Sequence, residues 1–125
     1  ARATGSRSPR SSSKRSKPDM IRIDIYRDNA GAIAGFAVNG HANTAPHGQD
    51  IVCAGVAVLT QSAVLGLERH LRREFDLDIG PGRLVLNLKG APDVSTGAIL
   101  QTMLLGLTEI AGQNPRSVRI TEHRR

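Results

Sequence analysis

The sequence predicts a single α/β domain in the α+β style, two long helices packed on a small mixed sheet in the order β-β-α-β-α-β. Three observations carry this expectation. Residues 20–26 (MIRIDIY) alternate Ile21, Ile23 and Ile25 with Arg22, Asp24 and Tyr26, the period of a strand with one buried face. From residue 50 an apolar run continues for longer than any strand and reads as a helix. With 125 residues and 2% aromatics, the chain supports one modest core of Ile, Val, Leu and Ala.

The elements follow in order. After the first strand, DNAG (28–31) is a turn signal, and AIAGFAVNG (32–40) is a second strand with Phe36 and Val38 on one face, so the two form a hairpin. Residues 41–49 are expected as a loop. Asp50 is then a plausible N-cap for IVCAGVAVLTQSAVLGLERHLRREF, whose first half is apolar all round and therefore buried on more than one face. DLDIGPG (76–82) reads as a turn and RLVLNLK (83–89) as a third strand. A second helix is expected from Val94 or Ser95 to Ala111, stopped by Gly112 with Pro115 beyond. SVRIT (117–121) is a last strand before a charged, frayed end.

Charge separates a tail from a domain. The chain has a formal net charge of +6, but residues 1–19 hold six basic residues and one acid, which leaves residues 20–125 at +1. That segment is rich in Ser, Arg, Lys and Pro and cannot bury enough surface to offset its ordering entropy. Residues 1–19 are therefore expected to be a disordered, appended basic tail, with Met20 as the native start of a domain over 20–125. The near-neutral domain argues against direct nucleic-acid binding. One cysteine excludes an intramolecular disulfide framework and fits a reducing, cytoplasmic setting. No secretory signal or membrane-spanning helix is expected. The apolar helices leave room for a homodimer interface.

The chemistry concentrates in GHANTAPHGQDIVCAG (40–55), which holds the only cysteine and two of the four histidines. A lone cysteine in an apolar helix is usually a small hydrophobe. With Asp50 as N-cap, however, Cys53 is the third residue of the helix, where the macrodipole stabilises a thiolate and unpaired N–H groups could receive an oxyanion. His41, where the second strand ends, is placed to take the thiol proton and return it to a leaving amine. His47 is a rival base in a flexible segment, and His70 and His123 receive no role. A zinc site from Cys53, His41, His47 and Asp50 matches no standard spacing and is the weaker option. No cofactor or metal is expected. Asp50 has two readings, helix cap or orienter of His41. Residues 42–48 have the composition of a lid, or of a plain surface loop.

Gly40-His41-Ala42, then Gly48, then Asp50-Ile51-Val52-Cys53-Ala54 resemble the signature of the ribosomal-processing cysteine protease Prp (YsxB-like) family. The resemblance covers essentially all of residues 20–125. It implies a bacterial, cytoplasmic cysteine endopeptidase that removes the N-terminal extension of a large-subunit ribosomal protein precursor. Cys53 would be the nucleophile, His41 the general base, Gly40 a point of close approach or hinge motion, and Asp50 the acidic member of the site. It also implies aromatic or other apolar substrate residues before the cut. The chain departs from the family pattern at Ala57, where serine is common, and at Gly55, where alanine is usual. The alternatives are a non-catalytic ribosome-assembly factor that binds the same ribosomal protein, and a small RNA-binding domain using the basic tail.

Overall fold

The computed structural model describes residues 20–40 and 47–125, with side chains described throughout these except at 47–50. The first strand, β1 (Ile21–Arg27), pairs antiparallel with β2 (Ile33–Asn39), Ile23 opposite Val38 and Ile25 opposite Phe36. The turn between them is organised by Asp28, whose Oδ1 accepts from the amides of Ala30 at 3.0 Å and Ala32 at 2.9 Å. Gly31 supplies the positive φ of +88° that the turn needs.

Helix α1 covers His47–Leu65 and continues as a π-helical turn over Gly66–His70. The expected loop over 41–49 and the expected helix start at Asp50 are therefore corrected at residues 47–49: the helix begins three residues earlier. Its expected run to Phe75 is corrected as well. The helix widens, and the Leu71 amide bonds Gly66 O at 3.0 Å and the Arg73 amide bonds Leu67 O at 2.8 Å. Arg72 then turns the chain at φ 54°.

The region expected as a turn is a strand. Phe75–Gly80 forms β3, which pairs antiparallel with β4 (Arg83–Leu88) across a two-residue Pro81-Gly82 turn with Gly82 at φ +65°. The alternation was present: Leu77 and Ile79 point one way, Asp76 and Asp78 the other. Helix α2 (Val94–Gln113) follows and runs through Gly112 rather than stopping there, because Asn114 closes it with its amide on Ile110 O at 2.9 Å. The last strand, β5 (Val118–Arg124), extends through the end expected to fray. There Glu122 meets Arg27 at 2.6 Å, and His123 meets Asp24 at 2.7 Å while stacking on Tyr26.

The sheet order is β3-β4-β2-β1-β5, with β1 and β5 parallel and the other neighbours antiparallel. A β-β-α-β-β-α-β chain thus builds a two-layer α/β domain with a mixed five-stranded sheet, the fold class expected with one strand more. Ile21, Ile23, Ile25, Phe36, Leu84 and Leu86 bury against Cys53, Val56, Ala63 and Leu67 of α1 and Leu100, Met103, Leu104 and Leu107 of α2. By length and apolar composition, Ile51–His70 and Val94–Gln113 would each suffice to cross a membrane, which the sequence reading did not expect. In this fold each lays an apolar stripe on the sheet. The expected tail, residues 1–19, lies outside the described residues.

Candidate active site

Cys53 sits on the buried stripe of α1 that continues through Val56, Thr60, Ala63 and Leu67, and is 8% exposed. This spacing of three and four residues is the helical period that turns one face to the sheet. Thr60 fits that face because its hydroxyl donates back to Val56 O at 2.9 Å. With α1 starting at His47, Asp50 is the fourth helical residue and Cys53 the seventh, on the second turn. The expected placement of Cys53 on the first turn is corrected accordingly. Its amide belongs to the regular helical ladder, and the unpaired amides belong to the turn before it. The dipole effect is concentrated in the first turn, so Cys53 lies beyond its strongest reach. A helical Cα–Cβ bond tilts toward the N-terminus, which leans the Cys53 side chain back over that first turn.

Gly40 closes β2. Its φ is +97°, and a Cβ placed there would run into the backbone carbonyl oxygen of Met20. Its amide bonds Gly82 O in the β3–β4 turn at 3.1 Å. Both the positive φ and the close approach require glycine, and together they fix where the chain leaves the sheet toward residue 41. His41 and residues 42–46 lie outside the described residues, as do the side chains of His47 and Asp50. The lid expected over 42–48 falls mainly on those positions, while 47 and 48 open α1. Among the supporting residues, Gly40 is therefore the one whose geometry is defined beside that of Cys53.

Among the described residues, two cavities flank α1. One, of about 340 Å³, is an apolar groove between the helices, lined by Leu59, Ala63, Ile99 and Met103. The other, of about 240 Å³, lies between α1 and the β3–β4 hairpin and is lined by Val38, Ala57, Gln61, Ile79, Arg83 and Leu84 among others. The second adjoins the site, since Ala57 is one turn beyond Cys53 and Gly82, another lining residue, holds Gly40. Sequence reasoning missed this wall because it took 76–82 for a turn. The Pro-Gly pair between two alternating runs was the signal for a hairpin.

A family model described as cysteine protease Prp matches residues 20–119, from Met20 into the last strand. The chain belongs to the cysteine protease Prp family. The ribosomal processing cysteine protease Prp of Staphylococcus aureus is 29% identical over 104 residues, covering 81% of this chain and 97% of that protein. The Bacillus subtilis protein of that name is 49% identical over 61 residues, covering 49% of this chain and 54% of that protein. Among solved structures, the S. aureus Prp protease in complex with a substrate peptide superposes with a TM-score of 0.77 at 24% identity, covering 83% of this chain and all of that one. The same protease with a covalently linked product peptide gives 0.76 at 25% identity over the same shares. SMU.848 of Streptococcus mutans gives 0.74 at 26% identity, covering 86% of this chain and 97% of that one. The resemblance read from the motif thus holds for the family and for the fold, and the chain is a cysteine protease of the Prp type.

Proposed function

We propose that the chain is a cytoplasmic endopeptidase that removes the N-terminal extension of a large-subunit ribosomal protein precursor during ribosome maturation. The observation that carries this is the family match over 20–119, which takes in Gly40, His41 and Cys53 together. The S. aureus relatives, described as a ribosomal processing protease with a substrate peptide and with a covalently linked product peptide, support peptide chemistry at a covalent nucleophile.

In this reading Cys53 Sγ attacks the scissile carbonyl while His41, directly after the fixed Gly40, takes the thiol proton. The C–N bond breaks as His41 returns that proton to the departing amine, leaving a thioester on Cys53. Water, deprotonated by His41, then releases the acyl group and restores the thiol. The oxyanion is received by first-turn amides of α1, over which the cysteine side chain leans. Asp50, inside the first turns rather than at the cap, acts as the acidic member of the site. The reaction uses no metal or cofactor.

A second copy of the chain is proposed to cover the outer helical face, where Ile51 is 67% exposed, Val58 63% and Leu105 60%. The helices serve as core elements of the domain rather than as membrane spans, and the folded domain does not bind nucleic acid directly. The deciding experiment incubates the pure chain with the extended ribosomal protein of the same organism. Loss of cleavage in both Cys53→Ala and His41→Ala is expected. Cleavage that persists in both variants sinks the dyad, and binding without cleavage by the wild type supports the non-catalytic alternative.

A further inference from the structure

We propose that the face of the sheet turned away from the helices docks an extended acidic segment of a partner protein, along a row formed by Arg119, Arg22, Asn39 and Arg83. The proposal does not depend on the protease reading, because Cys53 lies in the helical layer on the other side of the sheet.

The row follows from strand register. Ile21, Ile23 and Ile25 are buried under the helices, so the alternation of β1 turns Arg22, Asp24 and Tyr26 to the opposite, open face. Arg22 pairs with Arg119 of β5 on one side and with Asn39 of β2 on the other, and Asn39 pairs with Arg83 of β4. Four neighbouring strands thus present donors at one level, over about 14 Å at the usual strand spacing. Arg22 and Arg119 are exposed, and neither has a hydrogen-bonding or ionic partner among the described residues. Arg83 is held by Asp78 at 2.8 Å. Like charges side by side on a sheet oppose folding, and an anion lying between them removes that opposition. The rest of this face satisfies itself. Asp24 meets His123 at 2.7 Å, and Arg125 donates to Asn87 Oδ1 at 2.6 Å. The uncompensated charge of the face is therefore confined to the one row.

The anion that fits is a line of carboxylates. In an extended chain alternate side chains lie about 6.7 Å apart on one side, so acids at three alternate positions span about 13 Å, close to the length of the row. A carboxylate can take two N–H groups of one guanidinium, and Asn39 adds an amide. A phosphate backbone fits less well. Asp24 and Asp78 stand at the next level of the sheet and Asp76 beyond them, and they repel a polyanion that continues across the face. Tyr26, the one tyrosine, is already stacked on His123 and lies under Arg125 at 4.5 Å, so its ring is not free to stack a base.

The test reads fluorescence anisotropy of labelled peptides with the full chain at low salt. A peptide with glutamate at three alternate positions and serine between them should bind about tenfold more tightly than its glutamine counterpart. Arg22→Gln combined with Arg119→Gln should remove that advantage. Arg69→Gln combined with Arg72→Gln makes the same charge change at the exit of α1 and should alter binding by about twofold or less. Residues 1–19 are present in every variant, so their basic residues contribute equally. The Arg22 and Arg119 double variant should keep or raise its thermal midpoint, and should cleave the extended ribosomal protein as the wild type does. Equal affinity for the glutamate and glutamine peptides, or equal loss in both double variants, overturns the docking face. A short single-stranded RNA that binds more tightly than the peptide, through the same two arginines, overturns it in favour of RNA. A lower thermal midpoint or slower cleavage in that double variant also overturns it, because the arginines then serve the fold or the active site. A wild-type chain that cleaves nothing yet ranks the peptides in this order keeps the docking face and loses only the protease reading.

Discussion

The two helices are of similar length and are both rich in aliphatic residues, yet they are held in place by different means. Helix α2 is fixed at both ends by its own sequence. Asp93 Oδ1 accepts from the Thr96 amide at 2.8 Å while Thr96 Oγ1 accepts from the Asp93 amide at 2.9 Å, a reciprocal capping box, and Asn114 closes the far end. Helix α1, which carries Cys53, ends in a widened turn whose release depends on Arg72 at positive φ and on Arg73. Arg73 reaches across to Ala91 O at 2.6 Å, Lys89 O at 3.0 Å and Asp93 at 3.2 Å, so the exit of α1 is clamped to the entry of α2. The helix with no reacting group is locally self-sufficient. The helix with the thiol takes its position from the rest of the molecule.

The comparison can be broken most forcefully at the reacting group. Cys53→Ala should lower cleavage of the extended ribosomal protein by a factor of about a thousand or more, while the thermal midpoint moves by only a few degrees. A large stability loss with residual cleavage would instead make Cys53 a packing residue. Next in size is the core that both helices share. Leu100→Ala removes a fully buried side chain and should cost about 2–5 kcal/mol in urea unfolding, in line with other large-to-small core changes.

Gly40→Ala sharpens the contrast from the side of α1. It forces a side chain to positive φ and into the Met20 carbonyl, so it should cost about 1–3 kcal/mol. It should also lower kcat at least tenfold, because it displaces the point from which His41 departs. A stability loss with kcat unchanged would separate Gly40 from the site.

The smallest effect belongs to the cap of α2. The Thr96 amide holds the Asp93 carboxyl below its ordinary value of 3.8, and the charge of Arg73 acts in the same direction. A depressed folded pKa means that the ionised form stabilises the fold above that value, and that this advantage is lost as pH falls through the folded pKa. Asp93→Asn keeps a capping oxygen but cannot ionise. The wild type should therefore have the higher thermal midpoint at pH 7, and its lead should shrink below about pH 3.8. Cleavage at neutral pH should not change.

Much of this was legible in the residues because local pattern and tertiary role agree. The alternation of Ile21, Ile23 and Ile25 specified β1, and the Asp28-to-Gly31 turn specified the hairpin. The grouping of Gly40, His41, Gly48, Asp50 and Cys53 pointed to the family. The errors arose where a distant partner decides the local state. DLDI holds only four alternating residues beside Gly80-Pro81-Gly82, and it becomes a strand because residues 83–88 pair with it. The charged end of β5 reads as frayed until Asp24, Tyr26 and Arg27 of β1 are set beside it. Asp50 is an acceptable N-cap by residue type, but side-chain type alone does not prevent a helix from starting one turn earlier.

The parallel pairing of β1 with β5 has a kinetic consequence. Arg27 and Glu122, which meet across it, are 95 residues apart in the chain. Loop closure of that span must precede the contacts that reward it, so the domain should fold slowly for its size. During synthesis β1 is made first and its outer edge is covered last. Until β5 emerges, that edge is an open template for strand pairing with other chains. Translation speed through the last strand thereby becomes a determinant of how much soluble enzyme a cell obtains.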